Sequence, residues 1–101
     1  MSKVIVRYEV KPEWAQENER LIRAVYEELE QTTPAGLRYS TFKLDDGVSF
    51  VHLASNGSED GQNPLRSVKA FQEFQKDVTE RCAQPPIAAE LHEIGSFRFW
   101  Q

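Results

Sequence analysis

A chain of 101 residues with 40% hydrophobic and 28% charged side chains has room for one domain, 1–101, and one modest core. Its 12 lysines and arginines are scattered among 16 acidic residues for a net charge of −4, which argues against the clustered basic surface that nucleic acid requires. The single cysteine, Cys82, excludes an intramolecular disulfide framework, no apolar run reaches membrane-spanning length, and MSKVIVRYEV has no basic-then-apolar leader, so a cytoplasmic location is expected.

Lys3 to Val10 alternates as a strand does, with Val4, Val6, Tyr8 and Val10 on one face and Lys3, Ile5, Arg7 and Glu9 on the other. Pro12 fits the first turn of a helix, where a missing N–H costs nothing, and Glu13 suits the positive end of its dipole. The helix is expected to run to about Gln31, with Trp14, Leu21, Val25 and Leu29 as its buried stripe and Asn18 in one slot of it. Pro34 biases Thr33 away from helical geometry and stops it.

Leu37 to Leu44 and Val48 to Ser55 read as two strands joined by Asp45-Asp46-Gly47, an antiparallel hairpin with Gly47 free to take a positive φ. SNGSEDGQN, from Ser55 to Asn63, is a polar loop and the segment expected to be most mobile. Asn63-Pro64 reads as the N-cap and first residue of a second helix. Leu65, Val68, Phe71, Val78 and Cys82 keep helical spacing along it, with Phe74 beside them, and it ends before Ala83-Gln84-Pro85-Pro86. Ile87 to about Ile94 is the fourth strand, which Gly95 bends before Phe97, Phe99 and Trp100.

The order βαββαβ predicts an α+β, ferredoxin-like fold, a four-stranded antiparallel sheet with two helices on one face. Right-handed crossovers put strands 1 and 3 in the centre. Strand 3 carries Phe50, His52 and Ala54 on one face and Val51, Leu53 and Ser55 on the other. Two helices cover only one face, so the apolar groups on the second predict a homodimer meeting sheet to sheet; a monomer with a partly apolar open face is the alternative.

VIVRYEVKPEW, then a helix, PAGLRYSTFKLDDGVSFVHLAS, a helix carrying KAFQEFQKDV, and PPIAAELHEIGSF together resemble the antibiotic biosynthesis monooxygenase-type proteins of the dimeric α+β barrel superfamily. The similarity covers about residues 3 to 97, and Gly36-Leu37-Arg38-Tyr39 after a helix-ending proline is its most specific piece. The resemblance implies homodimers whose sheets form a barrel, with a pocket between helices and sheet in each protomer. Some such proteins oxidise polyaromatic substrates with dioxygen and no bound cofactor, and others degrade haem. The haem-degrading pattern needs an Asn on the first strand, a Trp near the end of the third and a His on the second helix. None stands in Lys3–Val10, at Leu53-Ala54-Ser55 or in Leu65–Cys82. No cofactor is therefore expected, and the missing third-strand Trp weakens the quinone-forming assignment too.

His52, on the central strand, is the candidate catalytic residue, since histidine serves as acid, base or ligand near neutral pH; a core histidine with a satisfied hydrogen bond is the plainer reading. Tyr8, Tyr39 and Arg38 flank it as candidate substrate-binding groups, and Trp14 is a candidate gate, or else a cap on the core. The plainer readings are packing for the tyrosines and an exposed or paired charge for Arg38. No metal site is expected, because His52 and His92 fall on different strands and no ligand spacing is present. These readings predict a monooxygenase-like pocket protein for a small hydrophobic or aromatic molecule. A non-catalytic ligand-binding or structural homodimer is the alternative, its interior filled by Phe71, Phe74, Leu29 and Trp14.

Overall fold

The computed structural model describes residues 2–57 and 63–99. Its elements are β1 (Ser2–Val10), α1 (Ala15–Thr32), β2 (Leu37–Lys43), β3 (Ser49–Asn56), α2 (Lys69–Gln75), α3 (Val78–Arg81) and β4 (Cys82–Glu90). Single 3-10 turns at Pro12–Trp14 and Pro64–Ser67 lead into α1 and α2. Most of the loop expected to be mobile, 58–62, and Trp100 lie outside the described residues.

The sheet is antiparallel throughout, in the order β2-β3-β1-β4, so β3 and β1 are central as expected. Register sets the faces. Val6 pairs with His52, Tyr8 with Phe50, and Tyr39 with Ala54. These side chains share the face that the helices cover, where Tyr8, Val10 and Phe50 pack with Ile22 and Val25 of α1 and Phe74 of α2. This is the α+β, ferredoxin-like arrangement.

Three boundaries differ from the sequence reading, each for a local reason. On α1, Asn18 and Val25 are buried and Leu21 and Leu29 half-buried against the core as expected, but Ile22 joins them and Trp14 is left 41% exposed in the 3-10 turn. The second helix is broken. Lys76 is extended and Asp77 takes φ 61°, a left-handed conformation that Asp tolerates better than most residues. Buried Arg81 stabilises the break by donating to the Phe74 and Lys76 carbonyls at 2.6 and 3.1 Å, groups that a continuous helix would have bonded itself. Finally, β4 starts at Cys82 rather than Ile87. Pro85 and Pro86 sit where Gln84 opposes Glu9 but Ile87 opposes Arg7, a bulge in a strand at the sheet edge, which tolerates their missing donors. β4 also ends at Glu90 rather than near Ile94, so His92, expected on this strand, lies beyond it.

The hairpin is held as its sequence predicts. Gly47 has φ 76° and bonds the Leu44 carbonyl, while the Asp46 carboxylate accepts from the Val48 and Ser49 amides and the Ser49 hydroxyl. Those bonds, the Ser49 hydroxyl first, hold Asp46 below the usual carboxylate range.

Candidate functional site

Between α2 and the sheet lies a cavity of 570 Å³. Its walls are apolar: Val4 and Val6 from β1, Ala54 from β3, Leu65 from the 3-10 turn, Phe71 and Phe74 from α2, with Val78 and Pro86 closing one side. Phe71 and Phe74 thus line this space rather than fill it. Tyr8, Tyr39 and His52 bring polarity to one wall, and Asn56, Asn63, Arg66 and Gln75 complete the lining. The volume falls in the range of small-molecule sites, where a few convergent polar groups stand in an apolar surround.

Three strands place the polar wall. Tyr8 of β1, His52 of β3 and Tyr39 of β2 fall on the same face through the pairings above, with Thr41 directly opposite His52. The Tyr8 hydroxyl lies 2.8 Å from His52 Nε2, and the Tyr39 hydroxyl 2.6 Å from Nδ1, with Thr41 Oγ1 3.2 Å from the same nitrogen. Both ring nitrogens are therefore engaged. Asn18 Nδ2 donates to the Tyr8 hydroxyl at 3.0 Å, and Arg81 Nε donates to Asn18 Oδ1 at 3.2 Å. On the other side, Tyr26 bonds Thr41 at 2.8 Å and stacks on Tyr39 with ring centres 5.3 Å apart. The chain from Arg81 to Tyr26 is a single connected network inside the protein.

Burial decides its protonation. His52 is 6% exposed, and loss of hydration pushes its pKa down to about 4, so the imidazole is neutral at neutral pH. Burial likewise pushes the Tyr8 and Tyr39 hydroxyls well above their ordinary range, so both remain protonated. The wall formed by Tyr8, His52 and Tyr39 is itself uncharged, and its oriented O–H and N–H groups are suited to holding an oxygen-bearing ligand. It offers no strong base at neutral pH.

α2, which roofs the cavity, is anchored from a distance. The Glu28 carboxylate of α1 accepts from the Lys69 and Ala70 amides at 3.0 and 2.9 Å, satisfying two donors at the N-terminus of α2. Phe71 and Phe74 stack 6.2 Å apart on the cavity side, and the Arg81 guanidinium lies 5.3 Å from the centre of the Phe74 ring.

Of the candidates read from the sequence, His52, Tyr8 and Tyr39 come together here. Arg38 is exposed and, by alternation, on the opposite face from Tyr39. Trp14 lines a separate surface groove with Glu17, Arg20 and Glu73. The sequence reading missed Asn18, Thr41, Tyr26 and Arg81 as members of the network. Asn18 carried a signal, a polar residue in the buried stripe of a helix. Arg81 carried none, because a basic residue near a helix C-terminus is ordinarily solvated. Among the described residues no group of three or more His, Cys, Asp or Glu side chains could hold a metal ion, and no helix is long and apolar enough to cross a membrane.

No protein-family model and no curated protein matches the sequence. Solved structures do. An antibiotic biosynthesis monooxygenase superposes with a TM-score of 0.72 at 18% identity, over 94% of this chain and 100% of its own. Rv0793 from Mycobacterium tuberculosis gives 0.73 at 19% identity over 94% and 96%, and PA3566 from Pseudomonas aeruginosa 0.71 at 18% over 93% and 94%. At such identities the likeness is one of fold. It extends over nearly the whole chain, and it agrees with the resemblance read from the sequence.

Proposed function

We propose that the cavity between α2 and the sheet binds a small, flat, aromatic molecule, with an oxygen of the ligand held at the His52–Tyr39 end. The observation that carries this reading is the cavity itself: 570 Å³ walled by aliphatic and aromatic groups, with His52 and two tyrosines converging on one side. Flat rings suit the stacked Phe71 and Phe74 wall.

The monooxygenase-like fold supports oxidation of that ligand by dioxygen. The chemistry balances without a reductant when a ring CH₂ group next to an enolisable oxygen becomes C=O and the second oxygen atom leaves as water. The substrate then supplies both hydrogens and all the electrons. In this reading the substrate enters already ionised, its proton left in bulk water and taken back as the second oxygen leaves as water. The hydroxyl wall stabilises that oxyanion while it reacts with dioxygen in a water-poor cavity that strengthens the interaction. His52, with its low proton affinity and both nitrogens engaged, acts by holding Tyr8 and Tyr39 rather than as a free base. A second reading, binding without turnover, is favoured by the same satisfied hydrogen bonds.

A homodimer completes the proposal. The sheet face away from the helices presents Ile5, Val51 and Leu53 half-buried and Phe42 and Ile87 exposed, and the following tail exposes Ile94, Phe97 and Phe99. A second copy buries these groups sheet to sheet.

Native mass spectrometry of protein purified gently from its own cells tests the binding. The expected result is a dimer carrying a reproducible small extra mass that the cavity-filling variant Ala54→Trp lacks. Loss of the mass on Ala54→Trp supports the site; an extra mass retained by that variant places the ligand elsewhere. For turnover, oxygen uptake with the recovered ligand and no added cofactor should fall at least tenfold in His52→Ala, and unchanged uptake removes His52 from the reaction.

A further inference from the structure

The distances around His52 leave open which ring nitrogen carries the hydrogen, and the far end of the network decides it. Arg81 Nε is a donor in every protonation state it takes in a protein, so the Asn18 atom facing it is the carbonyl oxygen. The amide NH₂ of Asn18 must then face Tyr8, whose oxygen accepts from it. Among the described residues, His52 Nε2 is the remaining partner of that hydroxyl. If Nε2 carried the hydrogen, the Tyr8 oxygen would accept twice and its own O–H, on a residue only 5% exposed, would have no protein acceptor among the described residues. Tyr8 therefore donates to Nε2, and the hydrogen of the neutral imidazole sits on Nδ1.

From this order, and resting on the cavity reading above, we infer that Arg81 and Asn18 lock His52 as the Nδ1–H tautomer and so make Tyr39 the hydrogen-bond donor of the cavity, selecting ligands that present a carbonyl, quinone or oxyanion acceptor. Nδ1–H donates to the Tyr39 oxygen at 2.6 Å, which leaves the Tyr39 hydrogen to be given away from a side chain that lines the cavity. Thr41 Oγ1 lies farther from the same nitrogen, at 3.2 Å, so Tyr39 is the nearer acceptor of Nδ1–H. Each bond in the series Arg81, Asn18, Tyr8, His52, Tyr39 donates in the same direction, from a permanent cation toward the ligand, and aligned donors polarise one another. Asn18 and Arg81 are positioning residues in this scheme, distant from the ligand.

Two measurements test it together. Nitrogen-15 NMR of labelled histidine in the whole protein reads the tautomer without any ligand. The expected spectrum shows His52 Nδ1 protonated and Nε2 bare. In Asn18→Asp the carboxylate accepts from both Arg81 and Tyr8, Tyr8 then accepts from His52, and the hydrogen moves to Nε2. Calorimetric titration with 1-tetralone and with tetralin, the same skeleton lacking the oxygen, reads the donor. Wild type should favour the ketone roughly two- to tenfold, and both Tyr39→Phe and Asn18→Asp should lose that preference while still binding tetralin. A wild-type Nε2–H spectrum overturns the tautomer assignment. A ketone preference that survives Tyr39→Phe overturns Tyr39 as the donor. With the expected spectrum and neither probe bound, it is the cavity reading that fails, and the ligand half of the inference falls with it.

Discussion

His52 converts its burial into a pH dependence. Its pKa is about 4 in the folded chain against about 6.5 in an unfolded one, so between those values the unfolded state binds a proton that the folded state does not. Stability attributable to His52 is therefore complete above about pH 6.5 and declines as the pH falls toward 4, by about 3 kcal/mol over that span. Urea denaturation midpoints of wild type should fall through this window. In His52→Gln, which keeps a donor and an acceptor but does not titrate, the slope should largely vanish. An unchanged slope in that variant assigns the acid sensitivity to other groups. Asp46 does not confuse the result: its carboxylate is held below its ordinary pKa, so its contribution is lost only at lower pH.

At the scale of elements, the roof of the cavity is the part most dependent on contacts distant in sequence. α2 is seven residues long, too short to persist alone, and Glu28 holds its first two amides while Arg81 holds the carbonyls at its end. Glu28→Ala should destabilise the protein by about 1–2 kcal/mol and speed hydrogen exchange at Lys69 and Ala70 ahead of the sheet amides. Uniform acceleration over the whole chain would show that α2 has no separate anchorage. These tethers also explain what the sequence withheld. Strand alternation and the Asp46-Gly47 turn are local, so β1 and the hairpin were legible, whereas the shared face of Tyr8 and His52 needed the β1–β3 register. The break at Lys76-Asp77 was not, since it depends on Arg81 reaching back to carbonyls that helical periodicity treats as already bonded. The early start of β4 was equally hidden, because two prolines read as a stop unless the strand is known to be an edge with a bulge. Tyr39 and His52 could be nominated one by one, but their union with Asn18 and Arg81 required the packing of α1 and α3.

For the whole molecule, one face of the sheet is covered and the other is not. Phe42 is 49% and Ile87 65% exposed, on the same side as Val51 and Leu53. If a second copy covers that face, sedimentation of wild type should give a dimer, and Leu53→Glu, which places a charge at the centre of the contact, should shift it to monomer by at least a hundredfold loss of affinity, on the order of 3 kcal/mol. A dimer untouched by that substitution locates the interface elsewhere. The central claim, however, concerns the covered face. Its most direct test is a ¹⁵N and aromatic ¹³C NMR titration of the full chain with 1-tetralone. The account predicts saturable shifts at Val6, Tyr39, His52, Ala54, Phe71 and Phe74 and none around Trp14 and Glu80. Saturable shifts confined to the outer surface, or none at any concentration, would contradict it.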